Sequence, residues 1–414
     1  MSNPKPTLVI GAGVIGAAIA LDLQRRGRQV ILIDRAAPGR GASFGNMASI
    51  AVTEFMPASR PSVWRHIPGW LIDPEGPICV RPAHMPRLVP WFWRFLLASR
   101  PAKLRALEAQ GAALCSRALA DTQQMLRDID LSEDLSDTGC LSLYANDAEF
   151  RADAERIDVL DRFGFAYDVL DRNQLHDLEP QIDSTITKAL RLPDNRTVRD
   201  PLRIVTRLVD RFEALGGRVE GGEVSGFERS GHITAVRLSD GRVLPCAEAV
   251  LAAGAFTAKL AKQLDEPIPL ETERGYHTQV MDPGVTLRHS IIWPAKAFMV
   301  SPTAGGIRIG GTVEMAGLET PPDWRRAKIT VRRAREALPN LRLNDTSEWM
   351  GHRPAMADTV PVISASAKTP GVYYATGHGH LGLTYAATTA KLMGQLIAGE
   401  RPELDLHPYR IDRF

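Results

Sequence analysis

The first forty residues alternate between strand-like and helix-like patterns of apolar positions. A short β-favouring run at 7–10 leads into the motif GAGVIG at 11–16, and the helical stretch AAIALDLQRRG follows. A second apolar run, QVILID, ends at Asp34. Strand, glycine turn, helix and strand in this order predict a βαβ unit of the Rossmann type, the setting in which a G-x-G-x-x-G motif binds a dinucleotide.

Two later parts of the chain have the same kind of pattern. Residues 197–262 predict a helix, a strand RVEGGEVSGFE, a hairpin at 239–241, and a strand with a glycine turn, AVLAAGAFT. Residues 346–414 predict a strand, VYYAT, followed by a glycine loop and a helix. Together with residues 1–55, these parts are predicted to form one domain.

The segments between them predict a second domain, made of residues 56–196 and 263–345. The beginning of the first segment is proline-rich and is predicted to be irregular, with helices at about 101–129 and 147–163. Short strands with turn signals fill the second segment and are typical of an antiparallel sheet. The prediction is a mixed α/β protein of two interleaved domains, with its ligand at their interface.

Composition excludes several classes of function. The 414 residues carry a formal charge of only +2, which gives no reason to expect nucleic acid as a partner. The four cysteines form no C-x-x-C pair, which argues against a disulfide framework and against a cysteine-rich zinc site. No apolar run reaches the roughly 18–20 residues that span a bilayer, so no transmembrane helix is predicted. The apolar stretch at 7–21 is better explained by its glycines than as an export signal, so a cytoplasmic location is expected.

Each glycine of GAGVIG has a physical role. Gly11 is expected to make the tight turn, Gly13 to let backbone N–H groups approach a pyrophosphate, and Gly16 to let helix and strand pack closely. Asp34 would accept hydrogen bonds from both ribose hydroxyls. The predicted contacts of this half of the site are Gly11, Gly13, Val14, Ile15, Gly16, Asp34 and Arg35.

The loop after Asp34 helps to identify the dinucleotide. A nicotinamide domain would continue with further helix and strand, but residues 35–50 are rich in Gly, Ser and Asn. Such a loop can wrap a long cofactor, with Ser43 and Asn46 as hydrogen-bonding residues beside Met47. A plain surface loop is the alternative.

The stretch ATGHGHLGLT at 375–384 contains a His-x-His pair, a common metal-binding arrangement. No third ligand is evident nearby, so no metal is predicted. A helix N-terminus behind this loop would instead place backbone N–H groups against an anionic part of the cofactor. The predicted cofactor contacts here are Gly377, His378, Gly379, His380, Leu381, Gly382, Leu383 and Thr384.

The order of GAGVIG, SFGN, VLAAGAFT, ERGYH (273–277), GHRP (351–354) and ATGHGHLGLT resembles the FAD-dependent D-amino acid oxidase superfamily, and bacterial D-amino acid dehydrogenases in particular. The resemblance covers essentially the whole chain. It implies non-covalent FAD, a glutathione-reductase-like cofactor domain, and a substrate domain with a large mixed sheet. It also implies cofactor contacts from Val224, Ala253 and Gly254.

By the same resemblance, Arg353 of GHRP binds the substrate carboxylate. A planar guanidinium suits this role, because it holds a carboxylate by two parallel hydrogen bonds. Tyr276 and His277 are expected to complete the clamp or line the entrance, and Glu273 and Arg274 to pair with each other. One departure is Thr359, which follows Asp358 where related chains often carry glycine or serine.

The implied reaction is oxidation of an amino acid, with hydride transfer from Cα to flavin N5 and hydrolysis of the imine to a 2-oxo acid. The electron acceptor would be a quinone or oxygen. Alternatives are an enzyme for secondary amines such as hydroxyproline, proline or sarcosine, and a flavin subunit that relays electrons in a complex. Residues 81–107 mix aromatic and basic side chains, so either a peripheral contact with the inner face of the membrane or packing against the substrate domain is expected.

Overall fold

A computed structural model describes residues 5–61, 69, 73 and 75–414 of the chain. Predictions for the remaining part of 56–74 lie outside the described residues. The strands are β1 (Thr7–Ile10), β2 (Val30–Asp34), β3 (Ser49–Ile50), β4 (Ile78–Val80), β5 (Cys140–Tyr144), β6 (Asp168–Asp171), β7 (Lys188–Leu192), β8 (Arg196–Thr197), β9 (Arg218–Gly221), β10 (Val224–Arg229), β11 (Ile233–Leu238), β12 (Val243–Pro245), β13 (Glu248–Leu251), β14 (Leu270–Asp282), β15 (Ser290–Trp293), β16 (Phe298–Thr303), β17 (Gly306–Met315), β18 (Asn344–Met356), β19 (Val362–Ala365) and β20 (Val372–Thr376). The α-helices are α1 (Val14–Arg25), α2 (Met85–Ala98), α3 (Pro101–Asp128), α4 (Asp147–Ala152), α5 (Ala154–Phe163), α6 (Arg172–Leu178), α7 (Pro201–Ala214), α8 (Thr257–Gln263), α9 (Arg325–Ala337) and α10 (Gly382–Ile397).

The first large sheet has six strands in the order β19-β20-β13-β1-β2-β9. All neighbouring strands in it run parallel except the edge strand β19, which is antiparallel to β20. The loops after β1, β2, β13 and β20 therefore leave the sheet at the same edge. Ligands of open parallel sheets bind at the carboxyl ends of the strands, so this edge is where a dinucleotide is expected.

The second large sheet has nine strands, with β18-β14-β17-β16-β15-β5-β7-β6 in order and β4 added beside β17. Most neighbours are antiparallel, but β15 with β5 and β17 with β4 run parallel. The predicted fold class, α/β with a Rossmann-type sheet and a large mixed sheet, is confirmed.

Several element predictions were wrong in detail. The stretch predicted to be irregular contains α2, whose apolar residues Leu88, Trp91 and Phe95 are buried although Pro90 lies inside the helix. RVEGGEVSGFE forms two strands in different sheets, β9 and β10, rather than one. The predicted helix at 147–163 is interrupted at Asp153, and α9 was not anticipated.

The predicted domain boundary at residue 346 cuts through β18. This strand pairs with β14 along its whole length, from Asn344 opposite Asp282 to Met356 opposite Leu270. Residues 346–356 therefore belong to the nine-stranded sheet, so Arg353, which the predicted boundary assigned to the cofactor domain, lies in the sheet of the predicted substrate domain. We keep the division into two interleaved domains as a proposal, with this boundary moved from residue 346 to the end of β18.

Thr359 occupies the left-handed region, with φ of +63°. A β-branched residue is strained there, and glycine is not. Thr359→Gly is expected to raise the free energy of unfolding by about 0.5–1 kcal/mol, since the relief of strain exceeds the entropy that glycine loses on folding. Thermal unfolding measures this. Thr346→Gly is the control and should destabilise, because Thr346 lies inside β18. A lower melting temperature for Thr359→Gly would contradict the strain argument.

Candidate active site

The glycine turn after β1 is closed by backbone contacts that leave no room for side chains. Gly11 has φ of +107°, and a Cβ on it would lie 2.5 Å from the Ala252 carbonyl oxygen. A Cβ on Gly16 would lie 1.8 Å from the carbonyl oxygen of Gly11. Helix α1 can therefore pack directly against the end of β1, which is the arrangement that places its N-terminus over the sheet edge.

The N-terminus of α1 is open toward this edge. The N–H of Val14 donates to Oγ of Ser43 at 2.9 Å. The N-cap residue is Gly13, which has no side chain to cap the helix, and no acidic residue lies in the first turn. A Cβ on Gly13 would meet only Oγ of Ser43, at 3.2 Å. Donor groups at a helix N-terminus with a hydroxyl beside them form a site for phosphate. Ile15 follows as a buried residue of α1.

Asp34 lies at the end of β2 and faces the same turn. Its carboxylate accepts the N–H of Ala12 at 2.7 Å and the N–H of Ala36 at 2.9 Å. Its neighbour Arg35 lies over the ring of Phe256, with 3.8 Å between the guanidinium carbon and the ring centroid.

The other residues predicted at the nucleotide half lie around this edge. Val224 begins β10 and is opposite Leu238, while Ala253 and Gly254 follow β13. The Gly254 carbonyl accepts the hydroxyl of Thr376 at 3.0 Å, which ties this turn to the end of β20.

The loop at 43–48 uses Asn46 to hold its own shape. The amide nitrogen of Asn46 donates to the Ser43 carbonyl at 3.0 Å, and its amide oxygen accepts the N–H of Ala48 at 2.8 Å. Arg308 donates to the Asn46 carbonyl. Met47 follows, with its sulfur 2.8 Å from the position of a Cβ on Gly310. The side chain of Asn46 thus supports the loop, and the predicted cofactor contact would come from neighbouring groups.

The loop after β20 joins the two sheets. The N–H of Gly379 donates to the Pro354 carbonyl at 2.8 Å, and His378 forms a bridge with Ala355. Gly377 precedes this bridge with φ of +79°. The cofactor loop therefore lies directly against the end of β18 that carries Arg353.

The two histidines of this loop diverge. Nε2 of His378 lies 3.1 Å from Oγ1 of Thr389, and burial lowers the pKa of His378 to about 3. The side chain of His380 is exposed, yet burial and the charge of Arg353 lower its pKa. His380 lines a cavity together with Glu54, His378 and Gly379. In the described part of the chain, no group of three or more His, Cys, Asp and Glu side chains is arranged to hold a metal ion.

Helix α10 starts beside this cavity at Gly382, after Leu381. No side chain caps its N-terminus and no acidic residue lies in its first turn. Leu383 and Thr384 are buried, and the hydroxyl of Thr384 accepts the N–H of Ala51 at 2.9 Å. Backbone donors and the positive end of the helix thus face the space that the loop surrounds.

Arg353 lies on β18 directly opposite Glu273 of β14. A Cβ on Gly275 would lie 2.4 Å from its guanidinium carbon, so the guanidinium rests over this glycine. Its one hydrogen bond among the described residues goes to the Thr312 carbonyl at 3.4 Å, and no carboxylate of that part of the chain lies within 4.0 Å. Burial lowers its pKa, with Glu273 acting in the opposite direction. An arginine so placed is available for a bound anion.

His277 lies on the same face of β14 as Glu273. Its Nδ1 is 2.8 Å from the Gly45 carbonyl, and its ring stacks on Trp349 with centroids 5.2 Å apart. Burial, assisted by the charge of Arg308, lowers the pKa of His277 to about 3. The ring is therefore neutral, and Nδ1–H donates to the carbonyl. His277 joins the loop at 43–48 to the nine-stranded sheet.

Tyr276 points to the opposite face, as adjacent strand residues do. Its hydroxyl donates to Glu314 and accepts the N–H of Asp323 at 3.0 Å. Arg274 lies on this side as well, 3.6 Å from Glu314. The expectation that Glu273 pairs with Arg274 was wrong. The structure also separates Tyr276 from Arg353, so these two residues do not form one clamp.

Sequence reasoning missed three residues of this region. Arg308 donates to the Asn46 carbonyl, and the indole of Trp349 lies over Gly351. The charge of Glu54 and a hydrogen bond with its backbone raise the pKa of His380 and partly offset the lowering effects. Only Trp349 left a signal, because it lies two residues before Gly351 of the GHRP motif and therefore shares its face.

The described residues fit FAD at the edge of the six-stranded sheet. The open N-termini of α1 and α10, the glycine turn and Asp34 would supply phosphate, flavin and ribose contacts. The family model for FAD-dependent oxidoreductases of the DAO type matches residues 7–396. The chain belongs to the DAO family of FAD-dependent oxidoreductases. FAD is its cofactor, as predicted.

Relatives of similar sequence and a solved structure of similar fold cover nearly the whole chain or all of it. A D-amino-acid oxidase of Bradyrhizobium diazoefficiens is 31% identical over 100% of both chains. A D-amino acid dehydrogenase of Granulibacter bethesdensis is 28% identical over 98% of this chain and 99% of the relative. Glycine oxidase from Geobacillus kaustophilus superimposes with a TM-score of 0.76 at 17% identity, over 100% of both chains.

Proposed function

We propose that this DAO-family enzyme oxidises α-amino acids, D-amino acids foremost, to imines that hydrolyse to 2-oxo acids. The observation that carries the proposal is the guanidinium of Arg353, which lies beside the cofactor loop without a carboxylate partner within 4.0 Å among the described residues. A carboxylate fits this guanidinium, because it can accept two parallel hydrogen bonds from it and carries the opposite charge. The relatives named as D-amino acid oxidase and dehydrogenase support the same substrate class.

The residues of the chain would mainly bind and orient the substrate. Arg353 would hold the carboxylate and thereby fix which face of Cα meets the cofactor. Neutral His277, which stacks on the indole of Trp349, would hold the loop at 43–48 in a fixed position against the nine-stranded sheet. Bound FAD would supply the hydride acceptor. We also propose that FAD is held non-covalently, which release of the yellow colour by acid precipitation would test.

An anaerobic panel tests the function. Each D- and L-amino acid, together with proline, hydroxyproline and sarcosine, is added to the FAD-loaded protein, and bleaching of the flavin absorbance is followed. Bleaching by D-amino acids supports the proposal. Bleaching by secondary amines alone would assign the enzyme to that class, and no bleaching by any of these would favour a subunit that relays electrons.

We propose a membrane quinone as the electron acceptor, because α2 presents an apolar surface. Among its large apolar side chains, Trp93 is 62% exposed and Val89 is 58% exposed. Arg87 and Arg94 lie on the same helix, Arg100 follows it, and Lys103 and Arg105 lie in the first turns of α3; all five are exposed. Exposed apolar and basic groups in one such segment suit an anionic membrane surface. No helix among the described residues is long and apolar enough to cross a membrane.

The double substitution Val89→Ser and Trp93→Ser is expected to weaken binding to vesicles of anionic phospholipid by at least about tenfold, since burial of such side chains contributes about 1.5–3 kcal/mol each. Co-sedimentation measures the binding. Val243→Ser is the matched control, because Val243 is 44% exposed elsewhere on the chain. Equal binding by the double variant would contradict the membrane contact, and fast reoxidation by oxygen but not by a quinone analogue would contradict the acceptor.

A further inference from the structure

Glu273 is a half-buried acid that has no partner among the described residues. No hydrogen bond or ion pair within 4.0 Å joins its carboxylate to another described residue, although Arg353 is directly opposite on β18. Its neighbour on the same face, Glu271, is already bound to Nε2 of His84 at 3.1 Å. Burial raises the pKa of Glu273, and the charge of Arg353 partly offsets this effect. Such an acid costs free energy on folding and gains no compensating contact from the described residues, so its carboxylate is available for a cationic ligand.

The guanidinium of Arg353 leans away from Glu273. It rests over Gly275, two residues further along β14, where a Cβ would lie 2.4 Å from its central carbon. Residues two apart on a strand are separated by about 6.6 Å. The two opposite charges thus lie on one face of the sheet with a gap between them. This gap can admit a ligand that bears both charges.

Glu273, on one side of this gap, also borders the cavity beside the cofactor loop. It lines this cavity together with His378, Gly379 and His380 from that loop. Its position therefore places Glu273 beside the loop that is proposed to contact the cofactor. A structural acid would instead be directed at a cation of the protein.

We propose that Glu273 binds the α-ammonium group of the substrate while Arg353 binds its carboxylate. The inference rests on the proposed function and deepens it, because it makes Glu273 the residue that distinguishes amino acids from carboxylic acids without an amine. In an α-amino acid the two charged groups are close together, which suits acids and bases that face each other across paired strands. If Glu273 bound an amine on the substrate side chain instead, the α-ammonium group would have no anion beside it.

The test compares two ligands that differ only by the amine. Glu273→Gln is expected to lower kcat/KM for D-alanine, or for the best amino acid of the panel, by about 10–100-fold, the loss of one charged hydrogen bond. The inhibition constant of propionate, the amine-free analogue of D-alanine, should stay the same or fall, because the variant removes a negative charge near the bound carboxylate. Glu273→Asp should retain part of the discrimination.

Glu271→Gln is the matched control and should leave both quantities within about threefold, since its carboxylate already has a partner in Nε2 of His84. Bound FAD per protein is measured for every variant to establish that the site is intact. A parallel weakening of D-alanine and propionate by Glu273→Gln would show a merely structural role, and an unchanged kcat/KM would overturn the inference outright. Failure of the proposed function is distinguishable, because no amino acid would then be oxidised by the wild-type enzyme.

Discussion

Replacing Arg353 with methionine is expected to lower kcat/KM for the amino acid substrate by about 10²–10³-fold. Removing one partner of a buried, hydrogen-bonded charge pair costs roughly 2–5 kcal/mol, and each 1.4 kcal/mol is a factor of ten. The substrate carboxylate would then face Glu273 without a compensating cation. Steady-state kinetics measure the effect, and a flavin spectrum unchanged from the wild type shows that the cofactor site is intact.

Gly275 offers a second way to test the same clamp. A Cβ at this position would lie 2.4 Å from the guanidinium carbon of Arg353, which is the movable end of a flexible side chain. Gly275→Ala should therefore displace the guanidinium with little loss of stability. Its kcat/KM should fall in the same direction as that of Arg353→Met, whereas Arg353→Lys should retain part of the activity because it keeps the charge without the two-pronged geometry. Full activity in both Arg353→Met and Gly275→Ala would refute the clamp.

The cofactor half of the site could be predicted because its parts are local. GAGVIG, the strands beside it and Asp34 lie within one βαβ unit, so spacing along the chain is also spacing in the structure. The glycine loop at 377–382 was likewise predicted from the strand before it and the helix after it. Its contact with Pro354 was not, because it depends on how β18 is placed beside the end of β20.

The substrate half could be predicted only in part, because it depends on register. Arg353 and Glu273 are 80 residues apart and meet only through the pairing of β14 with β18. Adjacency along the chain was misleading for ERGYH, where Glu273 and Arg274 seemed to be natural partners. On a strand they point to opposite faces, and so do Tyr276 and His277. The charged residues in β14 and β18 also hid the length of these strands, since neither has a continuous apolar run.

Gly13→Ala is expected to weaken FAD binding by about 10–100-fold while leaving the fold of the apoprotein nearly unchanged. A Cβ there meets only Oγ of Ser43, at 3.2 Å, so the free energy of unfolding should change by less than about 1 kcal/mol. The methyl group would nevertheless lie where a phosphate approaches the N–H groups of α1, and the loss of one hydrogen bond to a charged group costs about 1.5–3 kcal/mol. Fluorescence titration of apoprotein with FAD measures the affinity.

Gly16→Ala is the contrasting variant, because its Cβ would lie 1.8 Å from the backbone carbonyl oxygen of Gly11, which cannot move without shifting the end of β1. It should destabilise the apoprotein itself by about 3 kcal/mol, the upper part of the usual range for overpacking. Denaturant unfolding of the two apoproteins separates these roles. Gly13 would leave space for the phosphate, so its variant should unfold nearly as the wild type does, whereas Gly16 lets α1 pack against β1, so its variant should unfold at lower denaturant. Similar unfolding curves for the two variants, or undiminished FAD affinity in Gly13→Ala, would contradict this division.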